Sequence, residues 1–78
     1  MQTDKSLKRK ILKKIGVNIK LYRLKANFSQ ETLAFKIGAD RTYISALELG
    51  LKSPSMYCLY LLSEKLNVPI KELVDIKI

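Results

Sequence analysis

The side chains best suited to chemistry lie within residues 41–49, and their types favour recognition over catalysis. On a helical wheel with 100° between residues, one arc of this segment carries an arginine, two hydroxyls and an alanine, with no acid. Ile44 and Leu47 share the opposite side and are expected to face a core. Exposed helix faces normally carry Glu and Lys. A face without acids can approach the base edges of a nucleic acid without repulsion from phosphates.

The residue types on this arc indicate separate roles. Arg41 is expected to make the paired hydrogen bonds to guanine that dominate readout in the DNA major groove. Thr42 and Ser45 can bond a base edge or a phosphate, and the methyl groups of Thr42 or Ala46 can contact thymine. Tyr43, at the border of the arc, is expected to reach a phosphate. The alternative is that each is an ordinary surface residue.

Two further polar contacts are expected beside this arc. Gln30, at the N-terminus of the preceding predicted helix, is placed for a phosphate, helped by the free amides of that helix. Glu48 is the only acid of the segment and lies almost on its apolar side, so it needs a partner. Arg23 is the expected partner, in a partly buried ion pair; the alternative is a solvated Glu48.

The elements that position these residues are all predicted to be helices. The first begins near Asp4 or Ser6 and ends at Asn27, with an apolar stripe of Leu7, Ile11, Ile15, Ile19 and Tyr22. The others are expected over residues 30–37, 41–49, 56–66 and 70–74, with Ser29, Asp40 and Ser55 as caps. Between the second and third helices, Gly38 and Asp40 leave a connection of about three residues, as a helix-turn-helix pair requires.

Composition narrows the function classes further. The chain has 78 residues and a net charge of +8, enough for one domain. Residues 1–25 hold nine Lys and Arg against one acid, whereas residues 26–78 hold six of each sign. This excess of positive charge in the N-terminal third is typical of proteins that bind a polyanion such as nucleic acid. The alternative is that the segment only makes the protein more soluble.

The residues that most enzymes need are missing from the sequence. There is no histidine, and Cys58 is the only cysteine, so we expect no metal site, no disulfide and no cofactor. No phosphate-binding loop is present either, so we expect neither catalysis nor a small-molecule substrate. No stretch has the apolar length of a membrane span and no signal peptide opens the chain. We therefore expect a cytoplasmic, nucleoid-associated protein without a membrane partner.

Taken together, the pattern resembles the lambda-repressor-like, Xre-type helix-turn-helix family. The matching residues, in order and spacing, are Ile15-Gly16, Arg23, Ser29-Gln30-Glu31, Leu33-Ala34, Gly38, Tyr43-Ile44-Ser45, Leu47-Glu48, Gly50, Pro54-Ser55 and Leu73. The run Asp40-Arg-Thr-Tyr-Ile-Ser45 looks like the controller proteins of restriction–modification systems, which are small dimers that regulate their own operon.

The resemblance implies a compact all-α domain of five helices that regulates transcription and is not an enzyme. It implies DNA contacts from the positions of Gln30, Arg41, Thr42, Tyr43, Ser45 and Ala46. Two residues depart from the family: Asn27 replaces a common glycine, and Leu49 replaces a common polar or basic residue, which puts a phosphate contact in doubt. We divide the chain into a basic extension, residues 1–14, that continues into the first helix, and a DNA-binding domain, residues 15–78.

The predicted fourth helix indicates a second binding surface. Leu59, Leu62 and Leu66 form its inward stripe, yet aromatic and aliphatic side chains also lie on the opposite arc. We expect a two-fold homodimer that reads a palindromic operator in double-stranded DNA. Its expected interface comprises Tyr57, Tyr60, Leu61, Leu73 and Ile76. The alternative is that the C-terminal residues fold back and cover this arc within one subunit.

Three rival functions stay open at this point. An antitoxin would bind DNA in the same way but hold a toxin on the apolar patch. A helical adaptor would use the basic first helix to bind protein or RNA. A membrane-surface role for residues 5–25 fits a basic amphipathic helix, but its apolar stripe is needed by the core.

Overall fold

The computed structural model describes residues 4–77, which form five helices and no strand. The helices are α1 (Lys5–Lys25), α2 (Gln30–Ile37), α3 (Arg41–Glu48), α4 (Met56–Leu66) and α5 (Ile70–Leu73). The predicted bounds of α2 and α4 are confirmed, whereas α3 and α5 each end one residue earlier than predicted. The all-α prediction is also confirmed.

Side-chain caps explain where four of the helices begin. In each of these four helices, the side chain of the cap residue accepts a hydrogen bond from the backbone amide three residues later in the sequence. The donor–acceptor distance is 3.0 Å in every case, and the cap residues are Asp4, Ser29, Asp40 and Ser55. This bond satisfies one of the amides that the first turn leaves without a partner. The local sequence therefore determines where α1 to α4 begin.

Left-handed residues explain several of the ends. Asn27, Gly38, Gly50 and Asn67 all have φ between 57° and 75°. In this conformation the chain turns away from the helix axis, and Gly and Asn adopt it at the least cost. The short connections that follow bring α2 against α3 and α4 against α5.

The core lies where the helices converge. Its largest fully buried side chains are Ile19, Leu33, Ile44, Leu47, Leu62 and Leu73. Every one of the five helices supplies at least one of them. Leu7 lies outside this core, with 41% of its surface exposed. The first turns of α1 therefore extend beyond the body of the domain, although they belong to the same continuous helix.

Two glycines set the close crossing of α1 and α3. A Cβ atom on Gly16 would meet the Leu47 and Glu48 carbonyl oxygens, the second at 2.6 Å. A Cβ atom on Gly50 would lie 2.8 Å from the Lys13 Cα atom. Because backbone atoms cannot yield as side chains do, only glycine permits this distance between the helices. The end of α3 is thus held against the middle of α1.

The C-terminal residues fold back onto α1. The Asn18 side-chain amide donates hydrogen bonds to the carbonyl oxygens of Leu73 and Asp75, at 3.1 and 3.2 Å. The Tyr22 hydroxyl lies 3.2 Å from the Glu72 carboxylate. Leu73 has none of its surface exposed, so its assignment to a dimer interface was wrong. It is a core residue, because α5 packs between α1 and α4.

Within residues 4–77, no helix is both long enough and apolar enough to span a membrane.

Candidate nucleic-acid interface

Helices α2 and α3 form a tight pair across the turn at residues 38–40. Gly38 is left-handed, with φ of 73°, and the Ala39 amide donates to the Ala34 carbonyl at 2.9 Å. This bond closes the end of α2. Asp40 then caps α3, so the new helix starts at Arg41, three residues after Gly38. The result is a rigid pair whose second helix has one face packed on the core and one face outward.

The outer face of α3 brings together four of the residues expected to contact DNA. Arg41 and Thr42 are exposed at its start, and Ser45 and Ala46 are half-buried in its middle. Leu49, directly after the helix, has 64% of its surface exposed. Residues 42–51 contain no lysine or arginine, so Arg41 is the only cation on this face of the helix.

The Thr42 hydroxyl is already engaged. It donates to the Asp40 Oδ1 atom at 2.5 Å, while the same oxygen accepts the Tyr43 amide at 3.0 Å. These two bonds hold the pKa of the Asp40 carboxyl below its usual value of 3.8. While this bond is formed, the Thr42 hydroxyl can accept a hydrogen bond from a ligand but has no free proton to donate.

Tyr43 lies at the border between the outer face of α3 and the core. Its side chain is half-buried against the core, and the Lys52 Nζ atom lies 5.9 Å from the ring centre. Burial, together with the neighbouring Cys58 thiol, raises the pKa of Tyr43 to about 12. The expected contact of Tyr43 with a phosphate stays a prediction. In this arrangement the ring supports the back of α3.

Arg23 and Glu48 form a buried ion pair, the pairing that the sequence favoured. The Arg23 Nε atom donates to Glu48 Oε2 at 2.6 Å, and Nη2 donates to Oε1 at 3.0 Å. The third guanidinium nitrogen donates to the Phe28 carbonyl at 2.9 Å. Only 7% of either residue is exposed. This fork joins α1, α3 and the loop between α1 and α2, and so fixes the angle of α3.

Gln30 extends this network instead of standing free. Its side-chain nitrogen donates to the Glu48 Oε1 atom at 3.0 Å, and the residue is half-buried. The sequence placed Gln30 toward a phosphate but did not show this inward bond. The bond fixes the side chain at the start of α2, and its carbonyl oxygen and second N–H group are not bonded within the described residues.

Sequence reasoning missed Asn18, which anchors the C-terminal segment. The available signal was an asparagine inside the apolar stripe of α1, where a buried amide needs partners. Those partners are backbone carbonyls 55 and 57 residues away, so only the fold identifies them.

Helix α4 exposes an apolar patch on the side away from the core. Tyr57 and Tyr60 have 71% and 55% of their surface exposed, and Leu61 and Ile76 are half-buried. Met56 adjoins them in sequence and is 69% exposed. Of the residues expected at the dimer interface, all except the buried Leu73 are therefore at least partly exposed.

The sequence agrees with that of known proteins over most of its length. Residues 19–73 match the helix-turn-helix family. The control protein C.BamHI of Bacillus amyloliquefaciens is 41% identical to this chain over 61 residues, which cover 77% of this chain and 75% of C.BamHI.

Solved structures resemble the fold as well. The restriction–modification controller protein C.AhdI from Aeromonas hydrophila matches with a TM-score of 0.76 and 35% identity, over 80% of this chain and 94% of C.AhdI. The controller protein C.Esp1396I, solved as a tetramer with its natural 35 base-pair operator, matches with a TM-score of 0.69 and 35% identity. That match covers 81% of this chain and 93% of C.Esp1396I.

Proposed function

The chain belongs to the helix-turn-helix family of DNA-binding transcriptional regulators, and we propose that it binds a palindromic operator as a two-fold dimer. The observation that carries this proposal is the outer face of α3. It presents Arg41, Thr42, Ser45 and Ala46 without an acid, and the buried Arg23–Glu48 pair fixes its angle.

Arg41 supplies most of the sequence discrimination in this proposal. It lies at the exposed start of α3, and its fork of donors fits the two acceptors of guanine. Ser45 and the Thr42 and Ala46 methyl groups contact neighbouring bases. Tyr43 and Gln30 are proposed to contact phosphates at the edge of this face, and Gln30 keeps a free N–H group for that contact.

The dimer is proposed to form through the α4 patch of Met56, Tyr57, Tyr60 and Leu61. Exposed tyrosines beside aliphatic side chains are typical of the centre of protein interfaces. A two-fold dimer places two reading helices about 34 Å apart, one turn of DNA, and so requires two inverted half-sites.

The regulatory role that we propose is that of a restriction–modification controller in the cytoplasm, associated with the nucleoid. The support is the identity to C.BamHI and the likeness to C.AhdI. Two features of the surrounding genome would support this role: an inverted repeat directly upstream of the coding sequence, and a neighbouring reading frame for a nuclease. A neighbouring toxin gene would instead favour the antitoxin function, with the α4 patch holding the toxin.

Selection of DNA from a random-sequence pool tests the proposed function. The wild-type protein should enrich an inverted repeat with half-sites one helical turn apart. A pool that stays random after repeated rounds, at a salt concentration where the protein still binds DNA, would contradict sequence-specific binding. Enrichment of a single half-site would contradict the dimer.

A further inference from the structure

A basic groove runs between the first turns of α1 and the end of α3. It has a volume of about 520 Å³. One wall carries four cations of α1, namely Lys5, Lys8, Arg9 and Lys13. The other wall is the chain around Gly50, where Leu49 and Leu51 have 64% and 73% of their surface exposed.

The position of this groove is set by backbone contact rather than by flexible side chains. The Gly50 Cα atom backs onto the Lys13 backbone so closely that a Cβ atom there would lie 2.9 Å from the Lys13 nitrogen. Because α1 is one continuous helix, this contact also fixes the direction of the turns that precede Lys13. The four cations therefore keep a defined relation to α3.

The charge in the groove is not compensated within the domain. Among residues 4–77, the ion pairs are Arg23–Glu48 and Lys65–Glu64, and neither involves a groove cation. Asp4 is the one acid at this end of α1, and its carboxylate accepts the Leu7 amide. Four like charges along one helix face repel each other and are stabilised by an external anion.

The C-terminal end of α3 lacks a cation that could contact DNA phosphates. The C-terminus of a helix carries partial negative charge, which repels phosphates. No cation occurs in residues 42–51, and Lys52 lies over the Tyr43 ring. If α3 lies in the major groove, the phosphates nearest this end of the helix would find no cationic partner on α3 itself. The groove cations of α1 lie directly alongside.

We propose that this groove is a second DNA-binding site, which holds backbone phosphates of the operator next to the end of α3. The inference rests on the proposed function, because it needs α3 in the major groove. The four cations neutralise phosphates, and the two leucines pack against the sugar edges of the same strand. This site adds affinity without adding sequence discrimination, since phosphates are the same at every position.

Two double variants of α1 test this proposal with equal loss of charge. Lys8→Gln with Arg9→Gln removes two groove cations, whereas Lys10→Gln with Lys14→Gln removes two exposed lysines that do not line the groove. Affinity for the selected operator and for unrelated DNA is measured at several salt concentrations. Each lost phosphate contact lowers the slope of log K against log salt by about 0.9.

The groove variant should lose about 1.8 units of this slope on both DNA molecules, keep the wild-type base preference, and have a melting temperature no lower than that of the wild-type protein. The matched variant should keep the wild-type slope. Equal loss in both variants, or an unchanged slope in the groove variant, would overturn the proposal. So would loss of binding to phosphatidylglycerol vesicles with an unchanged slope on DNA, which would assign the groove to a membrane surface. Base preference in the wild-type protein reports separately on the proposed function.

Discussion

At the scale of single residues, Glu48 is the side chain that ties α3 to its neighbours α1 and α2. This carboxylate accepts hydrogen bonds from two guanidinium nitrogens of Arg23 and from the amide of Gln30. The three donors come from α1 and α2, so this one side chain joins α3 to both of those helices. Since the pair is buried, neither charge can turn to water when its partner is removed.

Replacing one partner of this pair should therefore destabilise the fold strongly. We expect Arg23→Met to lower the free energy of unfolding by about 3–5 kcal/mol, because Glu48 then stays buried without its countercharge. Urea denaturation measures this change. The control is the double variant Arg23→Met with Glu48→Leu, which should recover most of the loss. A single variant as stable as the wild-type protein would show that the pair does not hold α3.

The Asp40 cap predicts a pH dependence at the start of α3. Bonds from the Thr42 hydroxyl and the Tyr43 amide lower the pKa of Asp40 below 3.8. The folded state therefore binds this proton less readily than the unfolded state, so the cap stabilises the fold above pH 3.8 and loses its effect as the pH falls through the lower, folded value. Thermal unfolding between neutral and acidic pH measures the loss.

Asp40→Asn is the matched control for this prediction, because asparagine caps helices about as well but does not titrate. The difference in melting temperature between the two proteins should shrink or reverse as the pH falls below 3.8. A difference that stays constant at all pH values would exclude the charged cap.

At the scale of elements, the candidate nucleic-acid interface depends on the contact where α1 crosses α3. Gly16 touches the carbonyl oxygens that end α3, and Gly50 touches the backbone of α1. The groove and the reading face both take their positions from this crossing.

Gly16→Ala should therefore destabilise the protein. Alanine at an unhindered helical position stabilises by about 1 kcal/mol relative to glycine. Here the new methyl group meets two carbonyl oxygens, so α1 and α3 must separate, and we expect a loss of about 1–3 kcal/mol. Thermal or urea unfolding measures it.

Val17→Ala, at the next and half-exposed position of α1, is the comparison and should change stability much less. A more stable Gly16→Ala protein would contradict the close backbone contact between α1 and the end of α3.

The sequence predicts the elements well because their signals are local. Caps such as Ser29 and Asp40 act within three residues, and the periodicity of α3 separates Arg41 from Ile44 without knowledge of the fold. The contacts of Tyr43 with α4 and of Leu73 with the core depend on helices distant in sequence. Both side chains are amphipathic or apolar, so their type alone did not show which side they would face.

At the scale of the whole molecule, the excess positive charge and the exposed apolar patch lie on different helices. The excess positive charge is on α1, and the exposed tyrosines are on α4. DNA binding and dimer formation can therefore be altered independently.

Tyr60→Glu should give a monomer by analytical ultracentrifugation, since it places a charge in the centre of the proposed interface. The monomer should keep weak, salt-dependent binding to DNA but lose the preference for two half-sites. Lys71→Glu, also exposed but on α5, is the control and should stay dimeric. A dimeric Tyr60→Glu protein would place the interface elsewhere.

The central claim is that α3 reads sequence through Arg41, and a base-by-base scan of the operator tests it most directly. Affinity is measured for every single-base change, with the wild-type protein and with Arg41→Ala. We predict that Arg41→Ala loses about 1–3 kcal/mol of discrimination at one symmetric pair of positions, while preferences at the other positions and binding to unrelated DNA persist. An unchanged pattern of base preferences in the Arg41→Ala protein would contradict the account.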